Sequence, residues 1–206
     1  MTEFDVMDSS LPSLIGFAIA MYITPGPNNT MLAASGASYG LRATVPHMLG
    51  IACGFAFMMV VVTAGLASIV LAVPLLSPIM RWGGAAWMLL LAWKIATAPL
   101  PVARPDGRRG RVLGFGGAAA FQWVNPKGWL IAVAAAGMFI RPGQTLWIQT
   151  AWIGAVFFVV AIPCMLPWIL LGAGASRLLR SPGRLRAFNI AMALLLVASA
   201  VPLLLD

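Results

Sequence analysis

Six long apolar runs occupy most of this chain, near residues 12–37, 45–70, 78–97, 113–138, 146–173 and 187–205, separated by short stretches in which arginine, glycine and proline collect. A helix needs about 20 consecutive apolar residues to cross the roughly 30 Å hydrocarbon core of a bilayer. The runs meet or approach that length, so the pattern predicts an all-α integral membrane protein with six transmembrane helices in a single domain over residues 1–206. Only 9% of residues are charged, against about a quarter in a soluble domain; a bilayer, not water, is the main solvent. The formal charge of +8 would suggest nucleic acid for a soluble protein. Here it reflects arginine anchors in the loops, and no nucleic-acid partner is expected.

Residues 1–10 hold Glu3, Asp5 and Asp8 and no basic residue, the opposite of a signal-peptide n-region, so the first apolar run is expected to be retained. Cys53 and Cys164 both fall inside apolar runs without metal-ligand spacing. They read as small buried residues. No metal or cofactor is expected, and self-association is left open.

Loop charge sets orientation, because Lys and Arg accumulate on the cytoplasmic side. With the N-terminus outside, Arg42, Lys94, Arg104, Arg108, Arg109, Arg111, Arg177, Arg180, Arg184 and Arg186 lie inside, while Arg81 and Arg141 lie outside, ten against two. Both termini are therefore expected to be extracytoplasmic. Residues 98–112, with Pro99, Pro101, Pro105, Gly107 and four arginines, form the most loop-like stretch and read as a linker between half-repeats at about 12–97 and 113–205. Three crossings per half invert the second half relative to the first, the plan of many secondary transporters.

The first run of each half carries a break. Thr24-Pro25-Gly26-Pro27-Asn28-Asn29 interrupts one and Gln122-Trp123-Val124-Asn125-Pro126-Lys127 the other. Proline removes a backbone donor and clashes with the preceding turn, and carbonyls freed in hydrocarbon must be satisfied by protein or by a water-lined cavity. If each helix restarts after its break, Asn28 and Asn125 lie at or near half-helix N-termini, whose partial positive charge favours anions such as a substrate carboxylate. Lys127 is more than a dozen residues from Arg111 and from Arg141, roughly 20 Å along a helix. An ionisable group so deep is functional by default, the alternative being that it bonds freed carbonyls as structural glue. The candidate substrate-binding residues are thus Thr24, Pro25, Gly26, Pro27, Asn28, Asn29, Gln122, Asn125, Pro126 and Lys127. His47, beside Pro46 at the cytoplasmic end of the second run, could titrate near neutrality, though a lone histidine there is more often structural. Gly50-xxx-Gly54 permits close helix approach, and Trp82, Trp93 and Trp147 read as interfacial anchors.

Taken together, Thr24-Pro25-Gly26-Pro27-Asn28-Asn29, Gly36, Gly40-Leu41-Arg42, Gly50-xxx-Gly54 and Asn125-Pro126-Lys127 resemble the LysE/RhtB family of bacterial amino-acid exporters over nearly the whole chain. Gly50 to Gly65 and Ala92-Trp93-Lys94-Ile95-Ala96-Thr97 are most similar to its cysteine and O-acetylserine exporter branch. The resemblance implies a multi-pass protein of the bacterial plasma membrane, not an enzyme, that exports amino acids with a proton gradient as the drive. In many members an acidic residue follows the second glycine, where this chain has Phe55. All five carboxylates, Glu3, Asp5, Asp8, Asp106 and Asp206, lie outside the runs. A cationic side chain in the interior would lack a partner charge, which favours small neutral substrates, and the branch resemblance implies cysteine or O-acetylserine first, then homoserine and threonine. A rival reading is a membrane thiol-disulfide relay using Cys53 and Cys164, although such chemistry needs exposed, activated thiolates.

Overall fold

The computed structural model of the chain describes residues 3–72, 75–97, 113–178 and 181–205, and over them every regular element is helical. The linker at 98–112, with Asp106, and the C-terminal Asp206 lie outside the described residues. Each apolar run falls on a helix or on an interrupted pair. The first is α1 (Glu3–Ile23) and α2 (Pro27–Tyr39), and the second is α3 (Leu41–Val61), continued through a π-helical turn at Val62–Leu66 into α4 (Ala67–Ala72). The third is α5 (Leu76–Ala96). The fourth is α6 (Phe115–Phe121), a 3-10 turn at Gln122–Val124 and α7 (Pro126–Phe139); α8 (Leu146–Leu178) and α9 (Pro182–Leu205) complete the chain.

Two boundaries differ from the sequence reading. The first and second runs meet at one residue, Gly40, whose φ of +80° belongs to the left-handed region and whose N–H bonds Gly36 O at 2.9 Å. Glycine adopts that conformation without steric cost. The second run, expected as one uninterrupted segment, turns at Gly65, where φ is +145°. Next to it the Thr63 hydroxyl donates to Met59 O at 2.7 Å, so part of the irregular turn is satisfied by a side chain.

Helix α8 runs 33 residues through Pro163 and Pro167 without interruption and packs on α1, α2 and α3; α3 also packs on α6, and α5 on α9. Small residues let these backbones touch. A Cβ at Gly36 would meet Ile169 O, one at Gly172 would meet Ala33 O, and one at Gly54 would meet the Ala119 backbone. Close approach of this kind replaces the hydrophobic drive that is absent between helices in lipid, and it draws α2, α3, α6 and α8 around the two breaks. Aromatic side chains fill the centre: Phe157 contacts Phe17, Tyr22 and Phe55 with ring centroids 5.7–6.1 Å apart. Among the described residues, the helical stretches Leu41–Leu66 and Leu146–Ala175 are long and apolar enough to cross a bilayer unaided, while Ser10–Ile23 and Pro126–Phe139 are shorter apolar helices that flank the breaks. Trp82, Trp93 and Trp147 are exposed on the outside of the bundle.

Candidate functional site

In an unbroken helix the carbonyls of residues 22–25 would each accept a backbone N–H four residues on. Pro27 has no N–H, and the extended backbone at Gly26 (φ 180°, ψ −177°) carries the others out of reach. Side chains take their place. Asn29 Nδ2 donates to Tyr22 O at 2.6 Å and to Thr24 O at 3.0 Å. Lys127 Nζ, from the other half of the chain, donates to Thr24 O at 2.7 Å and to Pro25 O at 3.1 Å. Regular bonding resumes at Thr30, whose N–H reaches Gly26 O at 3.0 Å. The glue role considered for Lys127 is therefore what its ammonium does in this structure.

The second break is built differently. After the 3-10 turn, Asn125 is extended (φ −87°, ψ 106°), and Pro126 opens α7 at the position where a missing N–H costs nothing. A Cβ at Gly84 of α5 would collide with the Pro126 ring, so the glycine makes room for the proline. Asn28 and Gln122 join the two breaks by a reciprocal amide pair: Asn28 Nδ2 donates to Gln122 Oε1 at 2.9 Å, and Gln122 Nε2 donates to Asn28 Oδ1 at 3.1 Å. Gln122 Nε2 also reaches Ala118 O at 2.9 Å, and Asn125 Nδ2 lies 3.4 Å from Gln122 Oε1.

Between the breaks lies a small cavity, partly open to the exterior, which the first turns of both half-helices help to line. Neither α2 nor α7 has a side-chain N-cap bond, so the first-turn N–H groups of Asn28 and Asn29, and of Lys127 and Gly128, have no cap from a side chain. Of the ten residues predicted from sequence, Gly26, Pro27, Asn28, Asn29, Asn125 and Lys127 line the cavity; Thr24, Pro25, Gln122 and Pro126 stand behind it as supports. The sequence reading missed Met21, Tyr22, Gly128 and Ile131 as wall residues, and it singled out Phe55 only for the acid that it replaces. Tyr22 lies two residues before the first break, on the last turn of α1; a polar aromatic there was the signal available. Two lining residues carry a buried polar atom with no hydrogen-bond partner among the described residues, Tyr22 OH and Asn125 Oδ1.

His47 is elsewhere. It is wholly buried in α3, 3.3 Å from Ser35 Oγ through Nδ1, and is not part of the lining. Cys53 and Cys164 are free and partly buried, with Cys164 packed on the apolar core. Among the described residues no group of three or more His, Cys, Asp or Glu could hold a metal ion.

Comparison with known proteins accords with this arrangement. Residues 19–206 match the family described as LysE type translocator. The cysteine/O-acetylserine efflux proteins of Escherichia coli strain K12, Shigella sonnei strain Ss046 and Shigella flexneri are each 31% identical to the chain over 185 residues, covering 90% of it and 92% of each relative. No solved structure matches it. With both breaks inside the matched region and the relatives covered almost end to end, the chain belongs to the LysE type translocator family, a membrane transporter and not an enzyme.

Proposed function

We propose that the protein exports small neutral amino acids or their derivatives from the cytoplasm across the bacterial plasma membrane, and that the cavity between the breaks is its substrate site. One observation carries the reading: two half-helices from distant parts of the chain bring their N-termini, with Lys127 beside them, to one partly open cavity. The first-turn N–H groups of Asn28, Asn29, Lys127 and Gly128 suit a carboxylate, and the Lys127 ammonium adds positive potential while it holds Thr24 O and Pro25 O. The rest of the lining, Met21, Phe55 and Ile131, offers no countercharge to a cationic side chain. That supports neutral amino acids over lysine and arginine, and the substrates named for the efflux proteins above place cysteine and O-acetylserine ahead of homoserine and threonine.

In this reading the helices form six crossings in two inverted three-helix halves, about 12–97 and 113–205, with linker 98–112 in the cytoplasm and both termini outside. The inversion brings one half-helix to the midplane from each side, an arrangement found in many transporters that work by alternating access. A proton gradient is the expected drive. The thiol relay has less support, because Cys53 and Cys164 are outside the cavity lining and Cys164 has apolar neighbours.

Counterflow with labelled amino acids in proteoliposomes tests the proposal. Cysteine and O-acetylserine should exchange and lysine should not; efficient lysine exchange would overturn the physical argument, and a wild-type protein that exchanges no amino acid would overturn export itself.

A further inference from the structure

Most polar groups around the cavity are used on the protein itself. Asn28 and Gln122 satisfy each other, Asn29 caps Tyr22 O and Thr24 O, and Lys127 Nζ caps Thr24 O and Pro25 O. Two are not so used: the Tyr22 hydroxyl and Asn125 Oδ1 are buried without a hydrogen-bond partner among the described residues, and they belong to residues, 5% and 2% exposed, that line the cavity. A buried polar atom without a partner is costly, and such an atom on a residue of the cavity lining calls for an account.

From this pair we infer that Asn125 Oδ1 receives the substrate's ammonium and that the Tyr22 hydroxyl selects substrates whose side chain carries a hydrogen-bonding group. The inference rests on the export reading above and deepens it. Once the carboxylate lies on the half-helix N–H groups, the ammonium next to it needs an acceptor. Asn125 is the N-cap of α7, one residue from those donors, and its amide is oriented by Nδ2 toward Gln122 Oε1, which leaves the oxygen for the ligand. Tyr22 belongs to the opposite half. Its backbone is tied down by Asn29, and its ring is wedged at 5.8 Å from both Phe55 and Phe157. The hydroxyl is thus presented by a ring with little freedom to turn away. A pocket of this kind tolerates an extra methylene but rejects a ligand that leaves its buried hydroxyl unpaired. Serine, cysteine and O-acetylserine can pair with it through a hydroxyl, thiol or ester oxygen; 2-aminobutyrate, of nearly the same shape as serine and cysteine, and the smaller alanine cannot.

Competition with labelled cysteine in proteoliposomes, using serine against alanine and cysteine against 2-aminobutyrate, tests the selection. Wild-type protein should favour the polar member of each pair by roughly three- to tenfold, the value of one hydrogen bond. Tyr22→Phe keeps the ring contacts and should bring both ratios close to one through loss of the polar member alone. Asn125→Leu should instead erase the preference for alanine over lactate, which has a hydroxyl in place of the ammonium. Equal losses for both members of a pair in Tyr22→Phe, ratios that do not change, or a wild-type protein indifferent between serine and alanine would each overturn the inference while leaving export in place. The wild-type ratio needs no variant, so a misfolded Tyr22→Phe does not shield the idea. A wild-type protein that transports none of these amino acids overturns both readings.

Discussion

Removing the Lys127 side chain tests whether the two breaks are held together by one ammonium. Lys127→Ala deletes bonds of 2.7 and 3.1 Å to Thr24 O and Pro25 O. Hydrogen bonds inside membrane proteins contribute about 0.6 kcal/mol on average and up to about 1.7, so two of them predict a loss of roughly 1–3 kcal/mol. Gly26 permits a sharper version. A Cβ there would lie 2.8 Å from Lys127 Cδ and 3.1 Å from Nζ, so Gly26→Ala should displace the same ammonium and cost about 1 kcal/mol or more. The backbone at Gly26 is extended and suits alanine, which by stiffening the unfolded chain would otherwise stabilise by about 0.4–1 kcal/mol. The sign of Gly26→Ala should therefore reverse: destabilising in the wild type, neutral or stabilising in Lys127→Ala. Reversible unfolding in mixed micelles, followed by tryptophan fluorescence, measures the four corners of this cycle. The same effect of Gly26→Ala in both backgrounds would refute the bridge.

Four further outcomes are expected. Lys127→Met should weaken ligand-induced thermal shifts more for free amino acids than for their amides, since the latter present no carboxylate for the charge to meet; equal losses would remove the carboxylate site. Cys53→Ala combined with Cys164→Ala should leave counterflow largely intact, and lost activity in well-folded protein would revive the thiol relay. Gly172→Ala, whose Cβ would meet Ala33 O and lie 2.9 Å from Ala37 N, should destabilise by about 1–3 kcal/mol, whereas Gly174→Ala, with nothing within 4 Å, should cost nothing measurable by the same unfolding assay. A cysteine introduced at Gly107 in the linker should resist impermeant thiol reagents in intact cells; labelling from outside would overturn the proposed orientation.

Both breaks were legible in the sequence because their cause is local. A proline's missing N–H and its clash with the preceding turn act on neighbouring residues, so Pro25, Pro27 and Pro126 mark where α1 stops and where α2 and α7 start, whatever surrounds them. The apolar runs were legible for a similar reason: hydrocarbon demands an unbroken length of apolar residues, and each run has become a helix or an interrupted pair. The turn at Gly65 was less so, since a glycine in an apolar run reads equally as packing or as bend, and only its φ of +145° settles which.

What fills the space between the breaks depends on residues about a hundred positions apart, and no spacing rule connects them. Lys127 reads as a deep charge from its distance to the flanking arginines, but its bonds to Thr24 O and Pro25 O span 103 and 102 residues. The pairing of Asn28 with Gln122 spans 94, and it satisfies within the protein two amides that sequence alone offered to a ligand. Tyr22 and Phe55 enter the wall because α1 and α3 both pack on α8 around Phe157, with Gly154 of α8 set against Val60 and Ala56 of α3. Composition and proline chemistry act along the chain and determined the solvent, the helices and the place of the breaks. Which polar atoms are satisfied by the protein and which are left without a partner is a matter of mutual satisfaction in three dimensions, and only the packed bundle decided it.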